Sequence, residues 1–336
     1  MISGNLSSLE AYVSNKRNAF DVFIGSISFE RRCLGAALNI IKSSNSIGNI
    51  YFLDYNYALP VTTHRNASRV MESRKKRVQL QGQNKKILLD LFQKNAEFPH
   101  MKIEDPIVDT IRCLEQFCND KQIQINKAEQ ICIDISTFTK PLIFLLLRML
   151  VVNFNKKRFF VVNTIPSKYT PSSLSFNIWG SEIMPAYSGF WNPSNRNVLI
   201  AILGFEGHKL SSIIEKWTFN EIIPIIGFPA FYPGLQDRAL AANAHVLKKQ
   251  QPLPAINYAP ALDPFKTYRV IKDILDYYGQ NYNIGLAPLG PKPMALAAAL
   301  LAIERDLRVV YTFPQEYSYS YSHEIGESFL YEVELG

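Results

Sequence analysis

The chain is expected to be α/β: two similar Rossmann-like parallel-sheet units, produced by internal duplication and packed about a pseudo-two-fold. Three observations lead there. Strand-like runs alternate with helix-like runs along the whole length. Lys-Pro opens an apolar helix twice, at Lys140-Pro141 and Lys292-Pro293, and Thr-x-Pro closes the following strand twice, at Thr164 to Pro166 and Thr312 to Pro314. Two further landmarks recur in the same order, Phe29-Glu30 with Phe205-Glu206 and Asp105-Pro106 with Asp263-Pro264. Any one match is weak, but four in the same order on corresponding strand and helix ends point to a repeated unit far longer than a solenoid repeat.

The elements follow from the residues in turn. Phe20 to Ser26 is branched and aromatic between polar flanks, hence a strand. Leu34, Ala37, Leu38 and Ile41 stand at helical spacing after it, and Ile50 to Asp54 is the next strand. Asp105 caps a helix whose Pro106 costs nothing in the first turn, where its missing N–H would be unpaired anyway. Gln130 to Ile135 is a strand that leads into the first Lys-Pro helix, and Arg158 to Pro166 follows it. The second copy restarts at Asn197 with a strand and continues with strands at Glu221 to Ile226 and Tyr282 to Leu286. Its helices lie over Gln236 to Lys249, after Asp263-Pro264, and from Met294. The alternating run Ser328 to Leu335 is expected to be an antiparallel edge strand. The expected division is therefore a first unit over 1–170 with a basic helical insertion, an aromatic connection over 171–196, and a second unit over 197–336.

Composition sets the outer bounds. The 336 residues are 47% hydrophobic and 19% charged, enough for two substantial cores. No uncharged apolar run reaches the length of a membrane span, and the N-terminus lacks the apolar core of a signal peptide, so a cytoplasmic chain without membrane attachment is expected. Cys33, Cys113, Cys118 and Cys132 form no CxxC pair, which signals neither zinc nor a disulfide framework. No metal or cofactor is expected. The net charge of +7 favours anionic partners. A basic segment from Arg65 to Lys86 is either a solvated helix face or a surface for nucleic-acid phosphates.

Candidate site residues cluster at strand ends, where open parallel sheets bind ligands. In the second copy Gly290 permits a turn, Lys292 stands beside the opening helix, and that helix offers free N–H groups to an anion. The first copy keeps Lys140, has Phe138-Thr139 in place of Gly-Pro, and adds Ser136 and Thr137, with Asp134 ending the strand before them. Glu30 with Arg31 and Arg32, and Glu206 with His208, follow the first strand of each copy and are expected to approach the same crevices. GxxxxGK[ST] and GxGxxG are both absent, which disfavours P-loop hydrolysis and nicotinamide chemistry. No nucleophile elbow is visible, and no catalytic set is assigned.

The run Pro288-Leu289-Gly290-Pro291-Lys292-Pro293-Met294, followed by an Ala/Leu helix, resembles the Gly-Thr-Lys-Pro-Met turn of CARF domains. These are Rossmann-like sensors of cyclic oligonucleotides in prokaryotic defence, and tandem units of this kind are similar to the SAVED arrangement. The resemblance implies that Gly290, Lys292 and Met294 line a ligand pocket with Lys140 opposite. Pro291 replaces the threonine, and the first copy lacks the glycine. The leading expectation is a nucleotide- or phosphate-binding regulatory subunit of a defence-type system, signalling to a partner effector. The alternatives are a nucleotide-processing hydrolase or transferase using strand-end carboxylates, or a non-catalytic structural subunit of a defence complex.

Overall fold

Apolar runs five to seven residues long and rich in Val, Ile and Phe can be buried on both faces, which is the condition for a covered parallel sheet. The computed structural model describes residues 2–15, 20–42, 47–57 and 67–336, and contains two such sheets. In chain order the first elements are β1 (Ile2–Ser8), α1 (Leu9–Asn15), β2 (Phe20–Ser26), α2 (Gly35–Lys42), β3 (Ile47–Tyr57), α3 (Ala67–Phe92), β4 (Ala96–Glu97) and β5 (His100–Ile103). Next come α4 (Val108–Asp120), α5 (Gln122–Lys127), β6 (Ile131–Asp134), α6 (Lys140–Arg148), β7 (Arg158–Thr164), β8 (Lys168–Tyr169) and β9 (Ser175–Ile183). Then follow β10 (Arg196–Ile202), α7 (Gly207–Lys216), β11 (Glu221–Gly227), α8 (Leu235–Leu247), β12 (Asn257–Ala259), α9 (Pro264–Tyr278) and β13 (Tyr282–Pro288). The chain ends with α10 (Lys292–Arg305), β14 (Arg308–Tyr317), β15 (Ser322–His323) and β16 (Ser328–Leu335).

Two compact units result. Unit 1 runs to Phe176 and resumes from Glu316 to the end; unit 2 is Asn177–Gln315. This corrects the division expected from the sequence. The last residues belong to the first unit, because β16 pairs antiparallel with β7 from Ser328↔Thr164 to Glu334↔Arg158. β16 is antiparallel as its alternation indicates, but it is interior: β1 pairs along its other side and forms the edge. From Asn177 onward the aromatic connection belongs to unit 2, where Trp179 meets Phe313 edge-on and Arg308 lies 4.0 Å over the ring of Trp191.

Within each sheet the parallel strands follow one order. Unit 1 reads β7-β6-β2-β3-β4 and unit 2 reads β14-β13-β10-β11-β12. Each places its first strand centrally, between its second and its fourth, which is Rossmann-like winding. A shared order is what duplication and two convergent halves both produce. In such a sheet the crevice opens where the winding reverses, at the carboxyl ends of the first and fourth strands. That is between β2 and β6 in unit 1, and between β10 and β13 in unit 2.

The helices explain themselves by pattern. α10 is apolar on every side and is buried from Pro293 to Ala302, as an interior helix must be. α6 is likewise buried from Pro141 to Leu147. Asp105 Oδ1 accepts from the N–H groups of Ile107 and Val108, and Asp263 Oδ1 from those of Phe265 and Lys266, so both Asp-Pro caps form. The unit 1 core packs Phe23, Phe52 and Phe92 as tilted rings, with centroids 5.8 and 5.4 Å apart along the series. Each such ring contributes ~1.5–3 kcal/mol by burial.

Candidate functional site

The carboxyl edge of unit 1 is a polar shelf built by strand ends. β2 ends at Ser26, and the residue pair that defines the crevice is Ser26 and Thr137, whose hydroxyls are 2.7 Å apart. Two residues further on, Thr139 caps α6. Its side chain makes no capping bond, and its hydroxyl is buried without a partner; only 8% of the residue is exposed. Lys140, half-buried, and Pro141 open the helix. The first turn of any helix presents N–H groups without intrahelical acceptors and a partial positive charge. This turn therefore offers donors together with an unsatisfied hydroxyl at the topological switch point.

The neighbouring carboxylates are already engaged. Asp134 accepts from the Ser136 N–H at 2.9 Å and from the Ser136 hydroxyl, while that hydroxyl accepts from the Thr164 N–H at 2.7 Å. Glu30 pairs with Arg32 at 2.7 Å and accepts from the Ser322 hydroxyl at 2.7 Å. Burial opposes the Arg32 charge, but Glu30, with Tyr321 and Tyr169, holds its pKa above the ordinary value. Burial and the Glu30 charge push the Tyr321 phenol well up. Arg31 is exposed. Asp54, three residues before the end of β3, accepts from Gln81 at 2.9 Å and from Lys85 at 2.7 Å. A dinucleotide-binding unit uses a carboxylate at this position for a ribose hydroxyl; here its acceptors are taken by α3.

The basic segment thus has a largely internal role. Arg74 and Arg77 both pair with the buried Glu316, and Arg77 also lies 5.5 Å over the ring of Phe29. Burial, with Arg74 alongside, pushes Arg77 down to about 10, still far above neutrality, so the pair stays ionic. Lys75, Lys76 and Lys86 are exposed. Of the expected nucleic-acid surface, Arg74, Arg77 and Lys85 are therefore withdrawn into ion pairs, and Arg65 lies outside the described residues.

Unit 2 has the same crevice position but a different content. Ile202 and Leu289 stand at the ends of β10 and β13, joined by the Leu289 N–H donating to Ile202 O at 2.9 Å. A Cβ on Gly204 would stand 2.3 Å from Leu289 O, and one on Gly290 would stand 2.7 Å from Ile202 Cγ2. Gly290 therefore serves close packing of strand on strand. Met294 is fully buried, with its sulfur against Gly227, and is a core residue. Neither matches the pocket-lining role that the resemblance implies. Lys292 is half-buried, His208 is exposed, and Glu206 pairs with Lys209 at 2.5 Å.

Thr137 belongs to the polar turn that the sequence marks before Lys140, whereas no motif in the sequence marks Ser26. A serine ending an apolar strand is a faint signal, and only the strand order brings it to a threonine over a hundred residues away. An open cavity of about 390 Å³ lined by Asp21, Gly48, Gln124 and Lys127 lies at the opposite, amino edge of the unit 1 sheet. Among the described residues no group of His, Cys, Asp and Glu is placed to hold a metal ion, and no helix is long and apolar enough to cross a membrane.

No family model and no curated protein matches the chain. Among solved structures it is similar to an N-terminal ketoreductase from a macrolactin assembly line, at 10% identity over 85% of this chain and 64% of that one. The TM-score is 0.19, too low to bear on fold or function.

Proposed function

We propose that unit 1 binds a phosphate-bearing ligand at the start of α6, and that it works as a binding module rather than as an enzyme. The observation that carries this is the buried, unpartnered Thr139 hydroxyl at the cap of α6, beside the Ser26–Thr137 pair. Leaving a buried hydroxyl unpaired costs about 1–3 kcal/mol, which a ligand oxygen accepting from it would recover. The first-turn N–H groups of α6 and the Lys140 ammonium favour an anion at the same place.

The binding reading is preferred to catalysis because of how the carboxylates are held. A general base needs a free acceptor near the reacting atom. Asp134 is committed to Ser136, Glu30 to Arg32 and Ser322, and Asp54 to Gln81 and Lys85. The buried thiols are no better suited, since burial raises Cys33 and Cys118 to about 12. That the ligand is a nucleotide, and that its binding is passed to a partner protein in a defence-type system, is the finer part of the proposal. It rests on the strand-end position of the site, where open parallel sheets take nucleotides, and on the Lys-Pro helix opening that α6 shares with the run Pro288 to Met294.

Calorimetric titration with inorganic phosphate, AMP, ATP and cyclic dinucleotides tests the reading. Binding of at least one, weakened about 10-fold or more by Thr139→Val and by Lys140→Ala but not by Lys292→Ala, is the expected result. Binding that ignores Thr139, or turnover of the bound nucleotide, overturns it.

A further inference from the structure

The outward face of α3 carries an apolar seam that no described residue of unit 1 covers. Met71, Val78 and Leu89 are 58%, 51% and 41% exposed, and a Cβ on Gly82 would meet nothing within 4 Å. At 100° per residue these four positions fall within about 40° of one another on the helix. They form one stripe about 27 Å long, from Met71 to Leu89. The inward face is fully used: Ser73, Arg77, Asn84 and Leu88 are buried. Three large exposed apolar side chains in line on one helix, with a glycine among them, are more than the scattered surface residues that need no explanation.

The stripe is symmetric about position 80. Met71 and Leu89 are equidistant from it, as are Val78 and Gly82. A helix with such a pattern complements itself when a second copy lies antiparallel across it, which is the geometry of a two-fold interface. Met71 then meets Leu89 of the other copy. Val78 enters the gap that Gly82 leaves, and Gly82 lets the two backbones approach. The charges agree with this register. On the flank beside the seam, Glu72 comes within two residues of Lys86 of the other copy, about 3 Å along the axis. Lys75 and the other copy's Asp90 complete a set of two acids and two lysines, all exposed. Nucleic acid, which the lysines alone would suit, finds Glu72 and Asp90 in the same row.

We propose that the exposed face of α3 is a self-association surface, on which two copies of this chain pair antiparallel with Val78 packed across Gly82. One helix per copy buries an area at the small end for a stable dimer, so the dissociation constant is expected on the order of 10–100 µM. Sedimentation velocity of the full chain from 1 to 300 µM tests it. The expected result is a monomer–dimer equilibrium in that range, abolished by Val78→Glu and weakened about 10-fold or more by Glu72→Lys, which leaves three lysines against one acid. Both substituted side chains are exposed, so circular dichroism and thermal unfolding of the variants should match the parent. A monomer at every concentration, or a dimer indifferent to Val78→Glu, overturns the proposal. Association seen only with added nucleic acid or with another protein overturns it as well.

Discussion

Thr139→Val separates a binding hydroxyl from a structural one. A threonine at a helix cap ordinarily stabilises by accepting from the second or third N–H of the helix, and its removal then costs about 0.5–2 kcal/mol. Thr139 makes no such bond, and its hydroxyl has no other partner. Replacing the hydroxyl with a methyl group removes an unsatisfied buried polar group, for which the penalty is about 1–3 kcal/mol. The branched shape and extended backbone of the position suit valine as well as threonine. The variant is therefore expected to be more stable by about 1–2 kcal/mol. For a unit of this size that raises Tm by about 2–8 °C. Scanning fluorimetry and urea unfolding of the parent, Thr139→Val and Thr139→Ser measure it, and the serine variant, which keeps the hydroxyl, should gain nothing. Thr137→Val is the internal control: it breaks the bond to Ser26 and should destabilise by about 1 kcal/mol. A Thr139→Val protein less stable than the parent refutes the reasoning, because it would mean that the hydroxyl is satisfied within the fold.

Three further outcomes follow from the same geometry. Glu316→Ala strands the two arginines that converge on a fully buried carboxylate, so a loss of about 3–5 kcal/mol is expected. Faster amide exchange along α3 should accompany it, and a loss under about 1 kcal/mol would mean that α3 is held by packing alone. Alkaline pH should weaken the fold through its thiols, because burial raises Cys33 and Cys118 to about 12 from an ordinary 9.0. The unfolded chain then holds fewer protons above pH 9, so this contribution is intact below pH 9 and is lost toward pH 12, by about 1.4 kcal/mol per pH unit per thiol. Urea midpoints at pH 8, 9 and 10 check it, and a flat profile would contradict the burial. Gly204→Ala should destabilise unit 2 by about 1–3 kcal/mol, since the new methyl group would meet the Leu289 carbonyl; a neutral result in thermal unfolding would show that the β10 and β13 ends can part.

What could be read in the sequence was local. The Asp-Pro caps, the Lys-Pro helix openings and the apolar strands are each specified by a few adjacent residues, and all of them form. What could not be read depends on partners far along the chain. The alternation of Ser328 to Leu335 indicates an antiparallel strand but not its neighbour, and only the paired register shows that the tail returns to β7. The run of cations before Lys86 gives no hint that Glu316 will pair with Arg74 and Arg77 and Asp54 with Lys85. Gly290 and Met294 carry a recognisable pattern, yet a glycine needed for close packing and a methionine needed for a pocket leave the same letters in a sequence. Asp134, Ser136, Thr137, Thr139 and Lys140 lie between the end of β6 and the start of α6, while Ser26 enters only through the strand order.

The two units show how little a shared winding decides. Both place the first strand between the second and the fourth, and both open the fourth connection with Lys-Pro. At the position where unit 1 sets the hydroxyls of Ser26 and Thr137 against each other, unit 2 has Ile202 and Leu289 joined through the backbone. Where unit 1 caps its helix with an unsatisfied threonine, unit 2 has Pro291, which can donate nothing. A parallel sheet fixes where a ligand would sit; the side chains at two strand ends and one cap decide whether anything there can hold it. On that criterion unit 2 joins its strand ends by packing, and the proposed binding site falls in unit 1. The lysine common to both is then the less informative residue, and the threonine found in only one of them the more informative.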